Sequence, residues 1–237
     1  PNAKSSGGDT QTGYVLALHM NLLPENLRAA AAKRLVDKIE ANHDMLGTGF
    51  LGTPYLLEVL TRAGYTQLAW HLLFNTGYPS WGYMVDHGAT TMWERWNGNQ
   101  MISDPSMNSF NHYAYGAVGA WIYRFAAGVD ATPLDAGFHT VVLHPFFDAK
   151  IGYVSFDYDS AYGPIHSGWN VTGKTAAWRV TIPANTAGWL PLSKAEAAKY
   201  TIDGVSLAAS KLAKAVTRAG QSGFELPAGS YAFSVAM

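Results

Sequence analysis

With 237 residues, 48% of them hydrophobic and only 14% charged, the chain can bury one large core or two modest ones and is too apolar to be disordered. A net charge of -1 excludes electrostatic steering toward nucleic acid or an anionic membrane, and the absence of cysteine excludes a disulfide framework, a zinc–thiolate centre and a thiol nucleophile. No run reaches the apolar length of a membrane span, and no signal peptide is visible in the opening PNAKSSGG, which lacks an initiating Met and reads as a processing point or boundary.

The first half reads as helices. Residues 10 to 22 form an apolar stretch with Thr10 as N-cap, and Pro24 opens a second helix in which Leu27, Ala31, Leu35 and Ile39 recur every four residues. Lys33, Arg34, Asp37, Lys38 and Glu40 fall largely on the opposite side. Residues 53 to 63 repeat the pattern, with Thr53 as cap, Pro54 in the first turn and Gly64 as the stop. Further helix-length segments cover 65 to 75 and 108 to 127, so packed helical hairpins are expected. Between these two segments, residues 76 to 107 are dense in Gly, Trp, Tyr and Asp and include Pro79 and Pro105, the texture of a functional loop.

After Gly137 the texture changes to short β-branched or aromatic runs at 138 to 144, 151 to 157, 176 to 182 and 230 to 236, separated by turn signals. These predict a C-terminal antiparallel sheet domain. Lys194, Lys199, Lys211, Lys214 and Arg218 have no stacking aromatics between them and read as solvated surface. The sequon at Asn170 carries weight only in a eukaryotic secretory host.

Two motifs fail on their context. GTGFLG, residues 47 to 52, matches the dinucleotide fingerprint, but a charged helix precedes it where a buried strand is required, and no acidic residue follows at the right distance. A Gly-rich loop between helices is the better reading. His139, His144 and Asp148 fit no common metal-ligand spacing, and neither a metal nor any cofactor is expected.

HGATTMWERW, residues 87 to 96, is different. Eight Trp and thirteen Tyr make aromatics the compositional excess, and aromatic faces grip the C–H faces of sugars as readily as they fill cores. Glu94 sits between Trp93 and Trp96 beside Arg95. Burial would raise its pKa and a nearby donor would favour its charged form, and such a carboxylate can act as acid or base on a sugar acetal. The competing reading is a surface Glu beside two core tryptophans. A second block, NSFNHYAYG at residues 108 to 116, gathers Asn108, Asn111, His112, Tyr113 and Tyr115 at a helix start, all natural partners of sugar hydroxyls.

Taken together, GTGFLGTPYLL, YPSWGYMVDHGATTMWERW and MNSFNHYAYGAVGAW resemble the C-terminal part of bacterial and fungal inverting α-L-rhamnosidases of the (α/α)6-barrel type. The resemblance is collinear from TQTGYVLAL to GFHTVVLHP. It implies a partial helical barrel over residues 1 to 137 followed by a β-sandwich over 138 to 237. It also implies a glycoside hydrolase acting on terminal α-L-rhamnosyl groups, with Glu94 as the general base that activates water. His112 would belong to the rhamnose pocket, with Trp81, Trp93 and Trp96 as walls and Asn111 as a further contact. The alternatives are a related barrel acting on another sugar and a non-catalytic carbohydrate-binding module. The family's general acid lies in an Asp- and Arg-rich block that has no counterpart here. The 237-residue chain is therefore expected to hydrolyse rhamnosides little by itself, and to self-associate or pair with an N-terminal portion. The expected partner is a rhamnose-containing glycoside or polysaccharide, with no nucleic acid and no membrane.

Overall fold

A computed structural model describes residues 8–104, 106, 108–132 and 135–237. The opening segment up to Gly7 and Pro105, both singled out in the sequence, lie outside the described residues. The chain divides into two compact units, Pro1–Trp121 and Ile122–Met237.

The first unit is helical. Its helices are α1 (Gln11–His19), α2 (Glu25–Ala41), α3 (Thr53–Arg62), α4 (Thr66–Phe74) and α5 (Trp81–Asp86), with two single turns, α6 (Tyr113–Gly116) and α7 (Val118–Trp121). Thr10 caps α1 as expected, its Oγ1 accepting from Gly13 N at 3.0 Å, and Pro24 stands at the start of α2. Ala31, Leu35 and Ile39 are buried on one face of α2. One local expectation needs correcting. Thr53 does not cap α3: Gly52 holds that position, and the Thr53 hydroxyl is turned to Thr48, 3.1 Å from its carbonyl oxygen. Leu56, Leu57 and Leu60 of α3 and Trp70 of α4 are buried, and Trp121 reaches in to donate from Nε1 to Thr61 Oγ1 at 2.9 Å.

The helix expected across 108 to 127 is also broken. Residues 108 to 112 are not helical, α6 and α7 last one turn each, and Ile122–Ala126 winds as a π-helix. Residues 109 to 112 are kept out of the helix by a competing backbone pairing, described below.

The loop GTGFLG is a packed corner rather than a phosphate cradle. Gln11, 6% exposed, donates from Nε2 to Met45 O at 3.2 Å and accepts from Gly47 N at 2.7 Å. A Cβ at Gly47 would lie 2.9 Å from the Gln11 amide, and one at Gly52 would lie 2.9 Å from Thr12 Oγ1, so both glycines permit close approach.

Among the described residues the second unit is a nine-stranded sheet folded into two limbs. Its long strands are β5 (Thr175–Leu190) and β9 (Gln221–Ala236), paired antiparallel with an irregularity between Ile182 and Ala187. Before that bend, β5 lies between β4 (Gly163–Thr172) and β9, with β3 (Tyr153–Ser160) outside β4. After it, β5 pairs with β2 (Thr140–Leu143), which is flanked by β1 (Val129–Ala131). The β2–β5 pair is parallel, an exception to the antiparallel expectation. Strands β6 (Tyr200–Ile202), β7 (Val205–Ser206) and β8 (Lys214–Arg218) complete the sheet, and a short helix, α8 (Lys194–Ala197), carries a capping box from Ser193 and Glu196. Strand pairing starts at Val129, ahead of the change in sequence texture at Gly137.

One core joins the two limbs: Trp169, Trp178, Val180 and Phe233 from one, Val141, Leu143, Leu190 and Leu226 from the other. Each fully buried side chain of this size contributes about 1.5–3 kcal/mol. Two buried polar threads fasten it. Trp178 Nε1 donates to Ser167 Oγ at 2.9 Å, whose own hydroxyl donates to Ala127 O at 2.6 Å, and Trp169 Nε1 donates to Ala126 O at 2.7 Å. No helix among the described residues is long and apolar enough to cross a membrane.

Candidate active site

The two motif blocks meet as a short backbone ribbon. Glu94 N donates to Ser109 O at 2.8 Å, His112 N donates to Met92 O at 2.8 Å, and the Thr91 hydroxyl donates to Phe110 O. Residues 91 to 94 thus lie alongside 109 to 112. Glu94 and His112 are carried on the two halves of one hydrogen-bonded unit.

The Glu94 side chain is anchored to this ribbon. Its Oε2 accepts from Ser109 N at 2.8 Å, so one carboxylate oxygen is engaged by a backbone donor. The side chain is half-buried, between the two buried tryptophans of its own segment. Its neighbour Arg95 reaches Asp104 at 4.0 Å. The Ser106 hydroxyl and backbone N–H, and then the Arg95 charge, hold the Asp104 carboxyl below the usual carboxylate range.

His112 is the N-cap of α6, its Nδ1 accepting from Ala114 N at 3.3 Å. Its ring stacks on Phe50 with centroids 4.9 Å apart and on Tyr113 at 5.5 Å. Phe50 comes from the GTGFLG corner and also packs on Tyr115 at 5.2 Å. Sequence reasoning set that corner aside as a loop. The available signal was Phe50 itself, an aromatic between tightly packed glycines in a block shared with the resembling family.

The three tryptophans are buried, Trp81 to 7%, Trp93 to 5% and Trp96 to 7% exposure. Trp81, on α5, donates from Nε1 to Tyr115 O at 2.9 Å and meets Trp96 edge-on at 5.4 Å. Trp96 stacks on Tyr115 at 3.8 Å, and Trp93 meets Phe110 edge-on at 5.7 Å. The more exposed aromatics of these blocks are Tyr78, Phe110 and Tyr113. Asn111 is exposed, with its N–H on Ser109 Oγ at 3.1 Å. Tyr115 is buried, and that burial, with smaller contributions from the nearby Tyr78 and Glu94, pushes its hydroxyl up to about 12. It therefore stays protonated at any physiological pH.

The other sequence candidates belong to the second unit. His139 contacts Asp135 at 3.3 Å, burial lowers the pKa of His144, and Asp148 accepts from Lys150 N at 2.7 Å. No group of three His, Asp or Glu among the described residues could hold a metal. A cleft of about 610 Å³ among α1, α2 and α3, lined by His19, Arg28, Glu58 and Arg62 among others, includes no residue of the two motif blocks.

Comparison with known proteins agrees with this architecture. The family model of the bacterial alpha-L-rhamnosidase 6 hairpin glycosidase domain matches residues 2–126, and that of the bacterial alpha-L-rhamnosidase C-terminal domain matches residues 128–205. The chain belongs to the bacterial α-L-rhamnosidase family. An alpha-L-rhamnosidase of Streptomyces avermitilis is 45% identical over 82% of the chain, and one of Formosa agariphila 39% identical over 82%. The chain spans 19% and 21% of those relatives. The solved Streptomyces avermitilis enzyme, complexed with L-rhamnose, superposes on 98% of the chain with a TM-score of 0.83 at 38% identity, using 22% of its own length. The alpha-L-rhamnosidase of Dictyoglumus thermophilum superposes on 96% with a TM-score of 0.81 at 30% identity, using 25% of its length. A helical-hairpin domain followed by a C-terminal β-sheet domain is thus the family architecture.

Proposed function

We propose that this chain contributes the general base and one side of the sugar pocket to an inverting α-L-rhamnosidase. The observation that carries the reading is the ribbon joining residues 91–94 to 109–112, which sets Glu94 and His112 on one frame and fixes the carboxylate through Ser109 N. In a single displacement, Glu94 takes the proton of a water that attacks the anomeric carbon, while an acid protonates the leaving oxygen. Asp104 does not suit the acid role, because its donors hold it ionised. The acid belongs to the part of the full-length enzyme outside this span, and the isolated chain is accordingly slow.

The remaining roles follow from the contacts. With Nδ1 of His112 accepting from Ala114 N, a neutral ring carries its proton on Nε2 and donates it to a sugar hydroxyl. Trp81, Trp93 and Trp96 form the wall mainly from behind, holding Tyr115 and the ribbon, while Asn111 and the exposed ring of Phe110 face the sugar. The bound L-rhamnose of the Streptomyces avermitilis structure supports the choice of sugar.

The test is hydrolysis of p-nitrophenyl α-L-rhamnoside by the full-length parent, with the first-formed anomer read by ¹H NMR. Inversion delivers β-L-rhamnose first. The α anomer first would overturn the mechanism. Rhamnose binding that persists in a parent without hydrolysis would assign the chain to a binding module.

A further inference from the structure

The geometry points to a second saccharide-binding groove, on the outer face of β3, β4 and β5, shaped for a sugar that bears a carboxylate or sulfate. Strand register builds it. Tyr153 pairs with Asn170, Ser155 with Gly168 and Asp157 with His166, and Gly168 in turn pairs with Arg179 of β5. Alternation sends Val154, Trp169 and Trp178 to the core, so Tyr153, His166, Gly168, Asn170 and Arg179 share the other face. Together with Ala177, Val154 and Trp169 they line a groove of about 380 Å³, within the range of roughly 300–1,000 Å³ common for small-ligand sites.

Each lining group has a chemical use. Tyr153 is 72% exposed, a ring free to lie against the C–H face of a pyranose. Gly168 gives the groove a flat floor: a Cβ there would lie 2.8 Å from His166 Nε2, so glycine lets the imidazole edge project across the strand. His166 is held by Asp157, Nδ1 to carboxylate oxygen at 2.8 Å, which fixes the ring. Arg179 is exposed, and its guanidinium makes no hydrogen bond or ion pair among the described residues. A free guanidinium fork beside an exposed Tyr ring and the Asn170 amide matches a planar carboxylate or a sulfate on a sugar. That the ligand is a sugar rests on the proposed rhamnosidase reading; the position of the groove and its preference for an anion do not.

The experiment titrates the ¹⁵N-labelled 237-residue chain with three probes followed by NMR. They are an oligosaccharide of alternating rhamnose and uronate, the same oligosaccharide with its carboxyls reduced, and a sulfated rhamno-oligosaccharide. The expected result is amide shifts confined to β3, β4 and β5, with carboxyl reduction, Tyr153→Ala or Arg179→Ala each weakening binding at least about tenfold. Comparing the uronate and sulfate probes shows which anion is preferred. Both substituted positions are exposed, and each variant's spectrum reports its fold. Absence of shifts in these strands with both anionic probes at millimolar concentration overturns the proposal. So does equal binding of the reduced oligosaccharide or undiminished binding by Arg179→Ala. Glu94 lies outside these strands, so failure here leaves the catalytic reading standing, and loss of that reading leaves these shifts in place.

Discussion

Replacing Glu94 separates the anchoring of its carboxylate from the proton transfer proposed for it. One oxygen accepts from Ser109 N at 2.8 Å, and the proposed mechanism uses the other on water. Glu94→Gln keeps an acceptor oxygen of the same reach, so the Ser109 bond survives as a neutral one. The difference between a charge-assisted and a neutral bond is about 1 kcal/mol, and Ser109 is exposed, where water competes. Stability should therefore fall by no more than about 1 kcal/mol. The amide cannot take a proton, so kcat of the full-length parent should fall on the order of 10²- to 10⁴-fold, equivalent to roughly 2.7–5.5 kcal/mol of barrier. Glu94→Ala loses both jobs and should add a small further stability loss to the same collapse in kcat. The assay pairs kcat and KM on p-nitrophenyl α-L-rhamnoside with thermal unfolding of each variant. A purely structural glutamate predicts the reverse pattern, with kcat near normal for Gln and stability broken for Ala. A Gln variant within about threefold of the parental kcat would refute the reasoning.

Three further outcomes are expected. Gly98→Ala places a Cβ 3.0 Å from the Trp93 ring, next to Glu94, and this overpacking should cost about 1–3 kcal/mol by urea unfolding and lower kcat of the parent; an unchanged midpoint would show that the ring gives way freely. Ser167→Ala strands two buried groups, the Trp178 indole N–H and the Ala127 carbonyl, and should cost about 2–5 kcal/mol in the β unit, whereas adding Trp178→Phe should be much less than additive because the indole donor is then gone; simple additivity in the cycle would contradict the thread. His144 is half-buried, and the loss of solvation holds its pKa below the ordinary histidine value, so the folded state binds fewer protons than the unfolded one as pH falls. Its stabilising contribution is present above about pH 6.5 and lost on acidification below it, and His144→Gln should flatten the stability–pH curve in that window.

What could be read from the sequence depended on how locally each feature is determined. The α2 face is written in a four-residue period, and the Thr10 cap needs only the next few residues, so both follow from short-range geometry. The Thr53 cap failed because Thr48, on the packed corner, offered its hydroxyl a better partner. The helix expected from residue 108 failed for a related reason. Its apolar pattern is helical, but residues 109–112 spend their backbone groups on 91–94, a pairing that no periodicity announces. The same non-local ribbon is what turns two suggestive blocks into one candidate site.

Aromatics were the other illegible element. Trp, Tyr and Phe serve a core and a sugar wall with the same ring, and only the fold decides which face water sees. Here it buries Trp81, Trp93 and Trp96 and brings Phe50 onto His112 from a corner whose glycines mimic a phosphate motif. The β unit shows the same limit. The alternation in β4 is diluted by Gly163, Pro164 and Gly168, so the strand was missed, yet its register is what sets Tyr153, His166 and Arg179 around a glycine floor. Gly168 weakens the strand signal for the same reason that it opens the groove, because it contributes no side chain to either.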